Sequence, residues 1–249
     1  MFNNFFNMFY EDNLGEGSFG IRHFIWIGLT ILLAFILYIL FKKYKKAGRI
    51  FLVSTSIVIV VFRIIKQTFR AILGIEAVLN VLPWHMCTVL SFLMPIVIIF
   101  NLKKLKPAVY SLGIMGGIMT LALGDYFYND FLTIYELEGM FTHSMLILLP
   151  IIDSAISNFK FKLKESWQCI VGMLVLLGWA SLANEILFVG QNPNYMYLKE
   201  NALPFEVPGV HYFFIYTVLY FILLLVIFGI PELHRKIKKP VLNYDNSIK

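Results

Sequence analysis

The sequence predicts an all-α, polytopic membrane bundle of seven transmembrane helices, with the N-terminus outside and the C-terminus in the cytoplasm. Three observations predict it. Of 249 residues, 59% are hydrophobic and 14% charged, with a mean hydropathy of +0.76, a balance that no soluble core of this length contains. Seven runs approach the roughly 20 apolar residues that a hydrocarbon layer of about 30 Å requires. Lysine and arginine gather in every second connection, as the positive-inside rule demands of a polytopic chain.

The first run, Phe24 to Leu40, is followed by Lys42, Lys43, Lys45, Lys46 and Arg49, which places this connection in the cytoplasm. No basic leader precedes it, so it reads as a span and not as a cleaved signal peptide. The second run, Ile50 to Ile65, leads outward, and the third, Leu82 to Phe100, returns to Lys103, Lys104 and Lys106. The fourth, Ala108 to Leu123, ends at an acidic connection with Asp125, Asp130, Glu136 and Glu138. The fifth, Met140 to Ser157, returns to Lys160, Lys162 and Lys164. The sixth, Cys169 to Val189, opens the longest connection, 190–210, which carries Glu200 and Glu206 and is the segment expected to cover something. The seventh, Tyr212 to Ile230, ends in a basic tail with Arg235, Lys236, Lys238, Lys239 and Lys249, while the outer N-terminal stretch holds Glu11, Asp12 and Glu16. Lipid offers a backbone amide no hydrogen-bond partner, so long apolar runs without alternation are helices and not barrel strands. The whole chain, 1–249, reads as one membrane domain. Its net charge of +6 is accounted for by topology, and no nucleic-acid partner is implied.

The ionisable side chains concentrate at one depth. His23, Arg63, Lys66, Arg70, His85, Cys87, Asp125, His143, Asn184, Glu185 and His211 all fall in the outer half, whereas the inner half offers Ser54, Asp153 and its snorkelling lysines. Intramembrane ionisable groups are expensive and face a protein interior or a wet cavity, so such a cluster marks a candidate site. His23, Asp125 and His211 read as ordinary interfacial residues. Arg63, Lys66 and Arg70 are spaced i, i+3, i+7, within an arc of about 60° on one helix face. This cationic stripe lies where topology disfavours positive charge. It fits either a lipid phosphate or a structural pairing with Glu185.

The third run opens Leu82-Pro83-Trp84-His85-Met86-Cys87. In a regular helix residues i and i+2 point about 200° apart, so His85 and Cys87 share a pocket only where Pro83 leaves the first turn irregular. His143 lies at a similar depth on the fifth helix. A thiol beside a base is the basic requirement of nucleophilic acyl transfer, although a lone cysteine in an apolar helix more often packs than reacts. Cys169 belongs at the opposite face, too far from Cys87 for a disulfide, which needs Cα atoms within about 7 Å, so both thiols are expected to be free. Gly113 and Gly117, with Gly116 and Gly124, form a packing face on the fourth helix. The seventh helix has no lysine for a retinal Schiff base, and His85, Cys87 and His143 lack tight metal-ligand spacing, so no metal and no cofactor is expected.

The Phe19-Gly20-Ile21-Arg22-His23 entry, the Leu82 to Cys87 string, the isolated His143, and Asn184 followed by Asn194-Tyr195-Met196-Tyr197-Leu198 resemble the YwaF-type bacterial membrane proteins, related to animal transmembrane protein 164. The resemblance spans most of the chain. It implies an acyltransferase of the cell membrane that takes a fatty acyl chain from a phospholipid through a cysteine thioester, without coenzyme A, at the outer leaflet. It makes Cys87 the nucleophile and His143 the base, with His85 a second candidate. Arg63, Lys66 and Arg70 then hold the donor phosphate, and Asn184 or Tyr195 donates to the oxyanion, with Glu185 nearby; the acyl acceptor is unknown. The competing reading is a transporter or solute-binding membrane subunit whose outer pocket Cys87 merely lines. A sensor ranks last, since no long inner loop serves an output.

Overall fold

The computed structural model describes residues 19–74, 82–123, 133–201, 203 and 207–245. Glu11, Asp12, Glu16, Gly124, Asp125, Asp130, Glu206 and Lys249, all used in the sequence reading, lie outside the described residues. The described residues form a helical membrane bundle: α1 (Ile21–Lys43), α2 (Lys45–Ile72), α3 (Met86–Ile99), α4 (Lys106–Leu123), α5 (Ile134–Ser157), α6 (Ser166–Leu182), α7 (Tyr212–Leu224) and α8 (Ile230–Asp245). α6 is extended by a wide π turn over Ala183–Leu187, and a second π turn over Leu225–Gly229 joins α7 to α8 in one rod. Six helical segments are long and apolar enough to cross a bilayer, and α3 is a shorter seventh apolar helix.

α5 is the axis of the bundle, packed against α1, α2 and α4 and mostly buried. α1, α6 and α7 stand at the periphery and turn apolar side chains outward, which water would penalise and lipid does not. The Gly113/Gly117 face is where α4 meets α5. A Cβ on Gly117 would lie 2.7 Å from the His143 carbonyl oxygen, so only glycine lets the two backbones come this close.

The basic connections gather at one end. Arg49 donates to the carbonyls of Ile98 and Ile99 at 2.8 and 3.1 Å, capping the C-terminus of α3, where helix carbonyls lack internal partners. Arg235 donates to Phe161 O and pairs with Glu232. Lys106, read as a surface residue of its connection, is instead buried and joined to Asp153 at 2.6 Å.

Among the boundaries that differ from the sequence reading, those at the starts of α3 and α5 bear most on the site. Helix α3 begins at Met86 and not at Leu82, because His85 is extended (φ −79°, ψ 145°) as its N-cap. Helix α5 begins at Ile134 and not at Met140. Thr133 Oγ1 accepts from Glu136 N–H at 3.1 Å and the Glu136 carboxylate accepts from Thr133 N–H at 3.0 Å, a capping box that starts the helix early. Glu138, read as part of an acidic connection, is thereby carried into the bundle and buried.

Candidate functional site: a cavity between a charged floor and an apolar fork

At the end opposite the basic connections, a cavity of about 1210 Å³ opens among α2 to α7. Its charged wall comes from α2. Arg63, Lys66 and Arg70 all line it, as their shared face requires. Two of them are tied to α5: Lys66 Nζ lies 2.7 Å from Glu138 Oε2, and Arg63 Nε 3.3 Å from Glu138 Oε1. Thr142 Oγ1, one helical turn on, donates to the same carboxylate at 2.9 Å. Lys66 Nζ also sits 3.9 Å above the Tyr135 ring and the Arg70 guanidinium 4.8 Å from it, within cation–π range.

The pairing foreseen with Glu185 does not form. Glu185 is exposed, lies outside the cavity wall, and meets Lys199 at 3.3 Å. Glu138 takes its place, and the Thr133-x-x-Glu136 signature was the signal that would have put it on a helix. One carboxylate thus serves two guanidinium or ammonium groups, and the Arg63–Lys66–Glu138 cluster carries one net positive charge into the cavity.

The remaining chemical groups converge from α3, α4 and α5. Cys87, in the first turn of α3, faces the cavity with its Sγ 3.9 Å from Thr120 Oγ1 of α4. Gly116 leaves room for this sulfur, since a Cβ there would lie 3.1 Å from it. His85 and Cys87 line the same cavity because the extended backbone at His85 removes the helical half-turn between them. His143 lines it from α5. Among the described residues Cys87 and His143 do not hydrogen-bond, and the thiol's polar neighbour is Thr120.

Hydrogen-bond partners assign opposite tautomers to the two histidines. His143 Nδ1 is 2.7 Å from Gly139 O, and a carbonyl only accepts, so Nδ1 carries the proton and the neutral ring keeps its lone pair on Nε2. His85 Nδ1 accepts from Met196 N–H at 3.3 Å, so its proton is on Nε2. In the neutral rings, Nε2 is thus an acceptor on His143 and a donor on His85.

The roof is the strap after α6. Asn184 is fully buried at the π turn and ties its amide to the strap, donating to Tyr195 O at 3.0 Å and accepting from Tyr195 N–H at 2.9 Å. Asn184 itself is not part of the cavity wall, whereas Tyr195, Met196 and Tyr197 are. Met196 and Tyr197 both have φ of 56°, the left-handed region that side chains rarely occupy, and this bend is what aims Met196 N–H at His85. Trp84 stacks on Trp179 at 4.5 Å between ring centroids, and Trp179 Nε1 donates to Pro83 O at 2.8 Å, which fixes the segment before α3.

The residues read as interfacial behave differently from one another. His23 is fully buried, with Nε2 at 2.6 Å from Leu121 O, and ties α1 to α4; burial corrects its interfacial reading. His211 accepts from Phe213 N–H at 3.3 Å as the N-cap of α7. Both cysteines are free thiols; Cys169 is buried 3.8 Å from the Met115 sulfur, behind the cavity wall and not part of it.

No curated protein and no solved structure matches the chain. A family model does, over residues 18–230, which takes in all seven apolar helices and every group of the cavity: this multi-pass membrane protein belongs to the TMEM164 family.

Proposed function

We propose that the protein is a membrane-embedded acyltransferase of the cell membrane, moving a fatty acyl chain from a phospholipid through a thioester on Cys87 at the outer leaflet. The observation that carries this reading is the meeting of Cys87, His143, His85 and the cationic face of α2 on one cavity whose remaining walls are largely apolar. A phospholipid presents those same groups in that order: phosphate, ester, hydrocarbon.

The Cys87 sulfur attacks the ester carbonyl as its proton passes to His143 Nε2. The tetrahedral oxyanion accepts from His85 Nε2–H; Asn184, which does not line the cavity, does not fill this role. Collapse breaks the ester C–O bond, the proton on His143 goes to the leaving alkoxide, and a lysophospholipid departs. An acceptor hydroxyl or amine then attacks the thioester, returning its proton through His143 and releasing the Cys87 thiol. Arg63, Lys66 and Arg70 hold the phosphate during the first half. No coenzyme is required, because donor and acceptor meet the same sulfur in turn. In an apo cavity the thiol and base stand apart and close on each other around the substrate, as catalytic hydrogen bonds often do.

Intact-mass analysis of purified protein incubated with phospholipid tests the reading. A hydroxylamine-sensitive acyl adduct on the wild type, absent from Cys87→Ser, is expected. A wild type that turns over without an adduct, or a Cys87→Ser variant with normal turnover, overturns it in favour of a solute-binding pocket. A tag inserted within 191–201 that is reached from outside intact cells tests the leaflet.

A further inference from the structure

The cavity's apolar side is a fork between two helices that scarcely touch. α6 and α7 are consecutive membrane helices, yet each packs on α4 and not on the other. They meet at the base of the fork, where Tyr220 Oη donates to Cys169 Sγ at 3.5 Å. Above that point they part. Along the whole of α7 only Leu224 is buried, and its outer end is held by the strap, where Tyr212 Oη donates to Leu198 O at 3.1 Å. The space between is the cavity itself, walled by Met173, Leu174 and Leu177 on one side and Thr217 and Phe221 on the other. It runs without interruption to Arg63, Lys66 and Cys87.

We infer that this fork is a lateral portal holding one acyl chain of a glycerophospholipid that enters sideways from the leaflet. The inference rests on the phospholipid reading of the cavity. Two quantities select the occupant. Phe213 to Leu223, the stretch of α7 that lines the fork, rises about 15 Å at 1.5 Å per residue, and one leaflet's hydrocarbon is about half of a 30 Å layer. The fork is therefore about as long on its α7 side as one acyl chain, and on its α6 side it continues down to Ile170. At its mouth stands the net positive charge of Arg63, Lys66 and Glu138, complementary to a lipid phosphate. A free phosphate or a soluble metabolite leaves the apolar fork unused. A lipid entering through it never has to lift its chains into water.

The test uses a phosphatidylcholine bearing a photoactivatable diazirine near the end of one acyl chain, bound to the full-length Cys87→Ser protein so that turnover plays no part. Adducts are expected on Leu174, Leu177, Thr217 and Phe221. Adducts restricted to the outward-facing Val171 and Val218 overturn the portal. As a second measurement, Thr217→Trp fills the fork, and retained phospholipid is expected to fall about tenfold, equivalent to about 1.4 kcal/mol. Val218→Trp places the same ring one residue away on the lipid side and is expected to retain wild-type lipid. Full retention in Thr217→Trp overturns the portal. Failure of the two proposals is distinguishable: fork adducts without any thioester on the wild type remove the transfer reaction and leave the portal, while a thioester with adducts elsewhere does the reverse.

Discussion

Among the described residues the bundle contains two buried lysine–carboxylate bonds of nearly equal length, and they differ in their surroundings. Near the basic end Lys106 meets Asp153 at 2.6 Å, with Tyr110 donating to the same oxygen at 3.1 Å and Ser157 at 3.3 Å. That cluster has one cation for one anion, hydroxyls on the remaining lone pairs, and no share in the cavity wall. At the other end Lys66 meets Glu138 at 2.7 Å, but Arg63 competes for the same carboxylate and both cations face the cavity. A balanced and closed pair ties helices together. An unbalanced pair beside a cavity keeps an anion site open while limiting the cost of its charge.

The two cysteines repeat this contrast, and the largest effect is expected from them. Cys87→Ser is expected to abolish acyl transfer, because a hydroxyl requires far stronger base assistance than a thiol, whereas Cys169→Ser leaves it intact. His143→Ala is expected to slow formation of the adduct by about 10² to 10⁴, the range of a lost general base. Mass-resolved acylation rates for the three proteins decide it, and equal loss in the two serine variants would erase the distinction between the ends.

The lysines come next. Lys106→Met strands Asp153 in a closed apolar setting and is expected to cost about 3–5 kcal/mol of stability, read as a large drop in unfolding temperature in detergent. Lys66→Met leaves Glu138 paired with Arg63 and is expected to cost about 1 kcal/mol, in the range of an ordinary substitution. The order reverses for co-purified phospholipid, which Lys66→Met lowers and Lys106→Met spares. Equal melting losses would show that the outer cluster is as structural as the inner one.

The smallest effect is expected from the strap. Asn184→Ala removes two hydrogen bonds to Tyr195 and releases Met196 from His85. At about 1 kcal/mol for the loosened contact, adduct formation slows by roughly fivefold, with an altered pH profile if the His85 tautomer is no longer held. An unchanged profile would make Asn184 a fold residue only.

The helices themselves were legible because lipid imposes a period-free apolar run of fixed length, and α1, α2, α4, α6 and α7 follow directly from theirs. The cationic stripe was legible for the same reason: i, i+3 and i+7 share a face whatever lies opposite. What lies opposite was not. Glu138 is 72 positions from Lys66, and no local period reports how α2 and α5 align. The hydrophobic run starting at Met140 hid Glu138 in a connection, although the Thr133-to-Glu136 box marked the earlier start. Lys106 was hidden by the opposite bias, since a lysine at the end of an apolar run looks like a snorkel. The common wall of His85 and Cys87 hung on whether Pro83 disturbs the turn, and it does. Thr120 beside the thiol and the left-handed bend at Met196 and Tyr197 have no signature in residue type at all.

Helix α3 has a consequence for the membrane around it. At 14 residues it rises about 21 Å, against roughly 30 Å of hydrocarbon. With its C-terminal carbonyls held by Arg49 at the basic end, the whole shortfall falls at the other end, above Met86. The first turn of α3, with the thiol of Cys87, therefore lies about a third of the way into the apolar layer, beneath segment 82–85 and the strap. A lipid's ester normally lies nearer the surface than that, so the bilayer thins locally or the headgroup sinks for the two to meet. Lipids with longer tails widen the gap and shorter ones close it, which couples the reach of the sulfur to the thickness of the host bilayer.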